Sequence, residues 1–266
     1  MKTILITGAT DGVGLETAKQ LAQQGHRIIL HGRNKDRAQG ARATILDAFP
    51  AATLQIVHSD FADLSDVADM AREMNAGLSQ LDVLVNNAGV YMTRRGLSRN
   101  GFEMTLAVNH LAHFLLTRLL LPLLKKSAEP RVVTVSSMVH TSGRINFEDM
   151  NAERHFDGYQ AYANSKLANV LFANELARRE PWLSSNSLHP GVIGTKLLHA
   201  AFSMAGASVQ EGARTSVYLA ASPEAAHVTG KYFERCAALP AAAQALDQSL
   251  ARQLWEWSEH AAQPFL

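Results

Sequence analysis

Short apolar runs alternate with helix-period stretches from the first residues onward. Lys2–Thr7, Arg27–His31, Thr53–His58, Leu81–Val85 and Arg131–Ser136 read as strands, each a brief apolar run closed off by polar or turn-forming residues. Asn186–Leu188 and Lys231–Phe233 predict two shorter strands. Helical periodicity fills the intervals, at greatest length over Gly101–Lys125 and Gln160–Arg179, and Gly25 ends the first helix. Strands alternating with helices predict right-handed βαβ crossovers. The expectation is therefore α/β: a single doubly wound domain over residues 1–266, its parallel sheet flanked by helices. No repeat, low-complexity tract or linker divides the chain, and the alanine-rich stretch Ala237–Ala245 reads as a flexible exit or a short helix.

Composition narrows the class. Hydrophobic residues make up 47 % and charged residues 18 %, which excludes a disordered or solvating chain. Twenty-five basic residues face 24 acidic ones with no basic stripe, so a nucleic-acid partner is not expected. The single cysteine, Cys236, rules out a disulfide framework and suits a reducing, cytoplasmic setting. Ile4–Ile6 is too short for a signal core. Leu111–Leu124 falls short of the roughly 18 apolar residues of a span and is interrupted by His113, Arg118 and Pro122. It predicts a helix buried in protein or at a subunit contact, and a soluble protein without a membrane span. His110 and His113 lie three apart with no third ligand, so packing rather than metal binding is expected of them.

Three places carry chemistry. The run Thr7-Gly8-Ala9-Thr10-Asp11-Gly12-Val13-Gly14 turns strand one into helix one. Its glycines allow a tight turn and close approach of a pyrophosphate to a helix N-terminus, although an ordinary strand–helix turn has the same composition. Strands three and four end in Ser59-Asp60-Phe61 and Asn86-Asn87-Ala88-Gly89, at the sheet edge where open α/β folds bind ligands. Taken singly, Asp60 and Asn86 read equally well as turn caps. Tyr162 and Lys166 share one helix face, where a cation lowers a phenol's pKa toward general acid–base use. A surface Tyr/Lys pair is the inert alternative. Ser136 and Ser137, ending strand five, are placed to add a hydroxyl.

Taken in order, Thr-Gly-x-x-x-Gly-x-Gly at 7–14, Asn-Asn-Ala-Gly at 86–89, Ser137, Tyr-x-x-x-Lys at 162–166 and Pro190-Gly191 followed by Thr195 resemble the short-chain dehydrogenase/reductase family along nearly the whole chain. The resemblance implies a Rossmann domain with a seven-stranded parallel sheet binding a nicotinamide dinucleotide. It implies Tyr162 as the acid/base, Lys166 as the residue that holds the nicotinamide ribose and depresses the tyrosine pKa, Ser137 as the substrate-orienting hydroxyl, and Asn109 as the holder of a relay water. It further implies cofactor contacts from Gly8, Thr10, Asp11, Gly12, Val13, Gly14, Arg33, Asp60, Phe61, Asn87, Ala88, Gly89, Tyr162, Lys166, Pro190, Gly191, Val192 and Thr195. The segments 142–149, 165–169 and 230–233 resemble the retinol-dehydrogenase-like branch. Many members of that branch begin with a membrane anchor, whereas this chain begins at strand one. An apolar alcohol or carbonyl is the expected substrate, with specificity set by a loop at about 195–210, including Phe202 and Met204, and by the insertion 143–158.

Strand two ends Leu30-His31-Gly32-Arg33-Asn34, without the acid that NAD-binding folds place on the ribose hydroxyls. Arg33 is available for a 2′-phosphate, which predicts NADP(H) over NAD(H), while Asp11 in the turn carries the opposing charge. A catalytically silent dinucleotide-binding regulator on the same fold is the alternative to an enzyme. Because helices 101–125 and 167–176 are apolar on more than one face, a homodimer or homotetramer is expected to cover them.

Overall fold

The computed structural model describes all residues except 197 and 199–204. Alternation within the strands fixes which side chains face which layer. In β1 (Thr3–Ile6), Ile4 and Ile6 point to one side and Leu5 to the other, and all three are fully buried. Strands β2 (Arg27–His31), β3 (Leu54–Val57), β4 (Val83–Asn86), β5 (Arg131–Val135) and β6 (Ser184–His189) extend the sheet. With β7 (Tyr232–Glu234) and β8 (Ala237–Leu239), the order is β3-β2-β1-β4-β5-β6-β7-β8. Every pairing is parallel except β7 with β8.

The sheet therefore has the expected parallel strands plus an eighth, antiparallel one. Ala237–Leu239, read in sequence as an exit or helix, pairs with β7 across a turn at Arg235 and Cys236. Both turn residues adopt positive φ, 50° and 63°, as a tight hairpin demands.

Helices α1 (Gly12–Gln23), α2 (Lys35–Ala48) and α6 (Val209–Ala221) pack on the side of Ile4, Ile28, Val83, Val133 and Leu188. Helices α3 (Leu64–Gly77) and α4 (Met104–Leu124) cover the side of Leu5, Ile29, Leu84 and Val132. Helix α5 (Gly158–Arg179) and a C-terminal helix α7 (Gln248–Ala262) complete that layer. Among the described residues, α4 alone is long and apolar enough to cross a membrane, but 78 % of its apolar window lies inside the fold. It starts at Met104 rather than Gly101, and residues Ala107–Leu111 form a π turn within it.

Helix α7 has no counterpart among the elements read from the sequence, and its position bears on assembly. Trp255, 3 % exposed, stacks on Phe172 of α5 at 5.9 Å and meets Phe114 of α4 edge-on at 5.0 Å. Arg118 and Arg179 lie over its ring, and Arg118 pairs with Glu259. The apolar faces for which a partner subunit was expected are thus covered from within the same chain.

Candidate active site

The sheet order reverses between β1 and β4, so the crevice between their carboxyl ends is where this architecture admits a ligand. Thr7 to Gly14 and Asn86 to Gly89 meet there. Gly8 has φ +64°, and a Cβ on it would stand 2.9 Å from the Ala88 Cα. A Cβ on Gly14 would stand 2.4 Å from both Asn87 Nδ2 and the Gly8 carbonyl. Those two glycines let the turns lie against each other and bring backbone close to the N-terminus of α1, the kind of cradle a pyrophosphate requires. Asn87 ties the turns together by donating from Nδ2 to the Thr7 carbonyl at 2.7 Å.

Asp11 caps α1 by accepting from the Gly12 amide at 2.8 Å and forms an ion pair with Lys196. Lys196, through its hydrogen bond first, holds the Asp11 carboxyl below the usual range, so the opposing charge noted in the turn has a partner. Thr195 sits against Gly12, its Cγ2 being 3.3 Å from where a Cβ would stand. Beside this turn lies an open cavity of about 380 Å³ lined by Thr10, Asp11, Leu15, Arg37, Thr44 and Lys196 among others. Its basic residues are Arg37 and Lys196. Arg33, singled out from sequence, is exposed at the end of β2 and does not line it. Gly32 has a steric role of its own, because a Cβ there would come within 2.3 Å of the Thr10 Cγ2.

Asp60 turns the chain after β3, accepting from the Ala62 amide. Phe61 is 4 % exposed and stacks on His31 at 4.4 Å, so its ring belongs to the core. Val192 joins the Pro190–Thr195 segment to Ala207 through a backbone bond of 2.8 Å. Phe202 and Met204, the residues expected to form an apolar lid, lie outside the described residues.

The residues expected to do acid–base work lie beside the same turns. Helix α5 starts at Asp157, whose side chain accepts from the Gln160 amide, and it carries Tyr162 and Lys166 one turn apart. Lys166 Nζ lies 5.4 Å from the Tyr162 ring centroid and donates to the Val135 carbonyl at 3.1 Å. A Cβ on Gly89 would be 3.4 Å from Asn109 Oδ1 and 3.7 Å from Lys166 Nζ, so the Asn-Asn-Ala-Gly turn abuts both. Asn109, in the π turn of α4, accepts from the Val90 amide at 2.8 Å and donates to Ser165 Oγ at 2.9 Å. Ser136 donates to the Lys166 carbonyl, and Ser137 begins the 3₁₀ turn Met138–Ser142 as its half-buried cap.

One electrostatic expectation is corrected. Burial pushes the Tyr162 phenol up, not down, and it lowers Lys166 to about 8. The side chain is 7 % exposed, and this desolvation keeps the phenol protonated at neutral pH.

The fold and this arrangement define a class. The profile described as short chain dehydrogenase matches residues 2–206, and the chain belongs to the short-chain dehydrogenase family. Within it the chain is retinol-dehydrogenase-like. It is 41 % identical to retinol dehydrogenase 14 of Mus musculus, covering 97 % of this chain and 85 % of the relative. It is 38 % identical to retinol dehydrogenase 11 of Homo sapiens, covering 97 % and 84 %. A crystal structure of a putative uncharacterized protein from Mycobacterium Paratuberculosis superposes with a TM-score of 0.84 at 35 % identity, over 99 % and 94 % of the two chains. A short chain dehydrogenase from Escherichia coli CFT073, complexed with NADPH, gives 0.75 at 26 % identity over 88 % and 96 %.

Proposed function

We propose that this oxidoreductase interconverts an apolar alcohol and its carbonyl using NADP(H), with Tyr162 as the proton-transfer residue. The observation that carries the reading is the buried Tyr162/Lys166 pair beside the glycine-rich and Asn-Asn-Ala-Gly turns at the switch point. When bound, the nicotinamide supplies the hydride for reduction or accepts it in oxidation. In the reductive direction Tyr162 gives its proton to the oxygen as the carbonyl becomes an alcohol. Lys166 holds positive charge beside the phenolate that forms, and Ser137 orients the oxygen. An intact acid–base set has no purpose in a silent binder.

NADP(H) is favoured because no acid ends β2 and because Arg37 and Lys196 line the cavity beside the turn. Two similar structures hold NADPH or NADP. Paired, charge-assisted bonds to a 2′-phosphate are worth about ten- to a hundredfold in preference. An apolar substrate is favoured by the retinol dehydrogenase relatives and by Met138 and Tyr159, exposed next to Ser137 and one turn before Tyr162. Tyr91 adds a third apolar surface, its ring 5.6 Å from that of Tyr162. The lone Cys236 suits a cytoplasmic setting.

The test is kcat/KM with NADPH and NADH over a panel of ketones, aldehydes and retinoid-like carbonyls, run also on Arg37→Ala and Arg33→Ala. We expect NADPH to be preferred and Arg37→Ala to lose most of that preference. An unchanged ratio in both variants would show that neither arginine reads the phosphate.

A further inference from the structure

Between the glycine-rich turn and Asn109 stand two buried polar side chains, Thr7 and His113, 0 % and 1 % exposed. Thr7 Oγ1 accepts two backbone N–H groups, from Asn87 at 2.8 Å and Ala88 at 2.9 Å. A hydroxyl has two acceptor sites and one hydrogen, so with both sites filled it must donate. His113 Nδ1 lies 3.0 Å from the Asn109 carbonyl, which can only accept, so Nδ1 carries the ring proton. Burial lowers the imidazole to about 3 and keeps it neutral, leaving Nε2 bare. That nitrogen is 2.9 Å from Thr7 Oγ1, nearer than the rival Val85 carbonyl at 3.3 Å, and takes the hydroxyl hydrogen. Beyond Asn109 the line continues: Asn109 Nδ2 donates to Ser165 Oγ at 2.9 Å, and Ser165 Oγ donates to the Tyr162 carbonyl at 2.8 Å.

We propose that His113 is a positioning residue that locks the dinucleotide turn at Thr7 to the helix bearing Tyr162 through Asn109. The assignment rests on the oxidoreductase reading above. Every hydrogen along the line points from Thr7 toward Tyr162, and reversing the imidazole tautomer would break both of its bonds at once. Asn109 lies in the π turn Ala107–Leu111, and its carbonyl receives the imidazole one turn on.

Three substitutions separate the two bonds. In His113→Asn the amide stands where Nδ1 stood and can still donate to Asn109, but it loses Thr7. In His113→Gln the amide oxygen reaches where Nε2 stood and keeps Thr7, but it loses Asn109. His113→Phe removes both. We expect the Asn variant to weaken NADPH binding, read as Kd by fluorescence, while keeping more of kcat. The Gln variant should keep Kd and lose kcat, and the Phe variant should lose in both. The losses should be about ten- to a hundredfold, the range for an unpaired buried hydrogen-bonding atom, with KM for the carbonyl within about twofold of wild type. Nitrogen NMR of the histidine-labelled wild-type protein should show a protonated Nδ1 and a bare Nε2 for His113. The opposite tautomer or an imidazolium overturns the proposal, whether or not the Phe variant folds. So do Asn and Gln variants that lose Kd and kcat in parallel. Should the wild type bind NADPH yet reduce nothing in the panel, the oxidoreductase reading fails; Kd of the Asn variant then decides for His113, a weakened value supporting it and an unchanged one overturning it.

Discussion

His110 and His113 stand less than one helical turn apart on α4, both 1 % exposed and both held neutral by burial, yet they serve opposite sides of the molecule. His113 faces the crevice, touching Thr7, Asn109 and the edge of Phe61. His110 faces the C-terminal layer, 2.7 Å from Ser258 Oγ and against Phe114 and Phe172. On the first side, polar groups from four distant stretches of chain meet at single atoms. On the second, aromatic rings and two arginines enclose Trp255, and one hydrogen bond is incidental to the packing. Burial and charge state therefore say little about a histidine's role. What its second nitrogen touches says more.

Acid challenges both sides at once and has the largest expected effect. His110 and His31 are lowered to about 4 and His113 to about 3, whereas an unfolded histidine titrates near 6.5. Below that value the unfolded chain binds protons that the folded chain refuses, so stability is intact above about pH 6.5 and falls as pH drops. By pH 5 each histidine costs about 2 kcal/mol, or about 6 kcal/mol together. Denaturant unfolding at pH 7 and pH 5 measures this; equal stabilities would mean that the three rings are charged or exposed.

Trp255→Ala strikes the C-terminal side alone. It should remove about 3–5 kcal/mol of stability while leaving kcat per folded molecule unchanged. Light scattering of the wild type at low micromolar concentration should give the mass of one chain, since α7 already covers the helix faces. A dimer would have to use some other surface.

Tyr162→Phe strikes the other side and should invert that pattern. Turnover should fall by about a hundredfold or more with NADPH affinity and melting temperature nearly unchanged. Near wild-type turnover would end the assignment of Tyr162. The smallest effect is Ser258→Ala, which removes the bond to His110 at a cost of about 1 kcal/mol and leaves activity alone.

Much of the crevice was legible in sequence because its signals are local. Glycines at 8, 12 and 14 follow a strand directly, and Tyr162 and Lys166 are four apart on one helix. The parallel core was legible too, since β1 to β5 are short runs rich in apolar residues between helical patterns, whereas β6, Ser-Ser-Asn-Ser-Leu-His, is mostly polar and showed only as the shorter stretch Asn186–Leu188. The C-terminal layer was not. Strand β8 is made of two alanines and a leucine, poor strand formers as a set, and its turn uses Arg235 and Cys236 where Asn-Gly would have announced a hairpin. Helix α7 buries only Ala251, Leu254, Trp255, Ser258 and Ala262, too sparse a stripe to stand out. In sequence Arg37 reads as a solvated residue beside Arg33, because the fold, not spacing, brings the first turn of α2 to the cavity beside the glycine-rich turn. The Thr7–His113 bond joins residues 106 positions apart, and no periodicity encodes such a meeting.

The near-contact between Gly32 and Thr10 bears on how this lineage can change over generations. Placing an acid at position 32, at the end of β2, would drive its Cβ to within 2.3 Å of the Thr10 methyl, carried by a stiff, β-branched side chain. Gly32→Asp made first is therefore a step downhill in fitness, whereas Thr10→Ala made first opens the space at little cost. The two changes are coupled, and their order decides whether the path is open. A population under selection for an acid at the end of β2 would be expected to pass through position 10 before it reaches position 32.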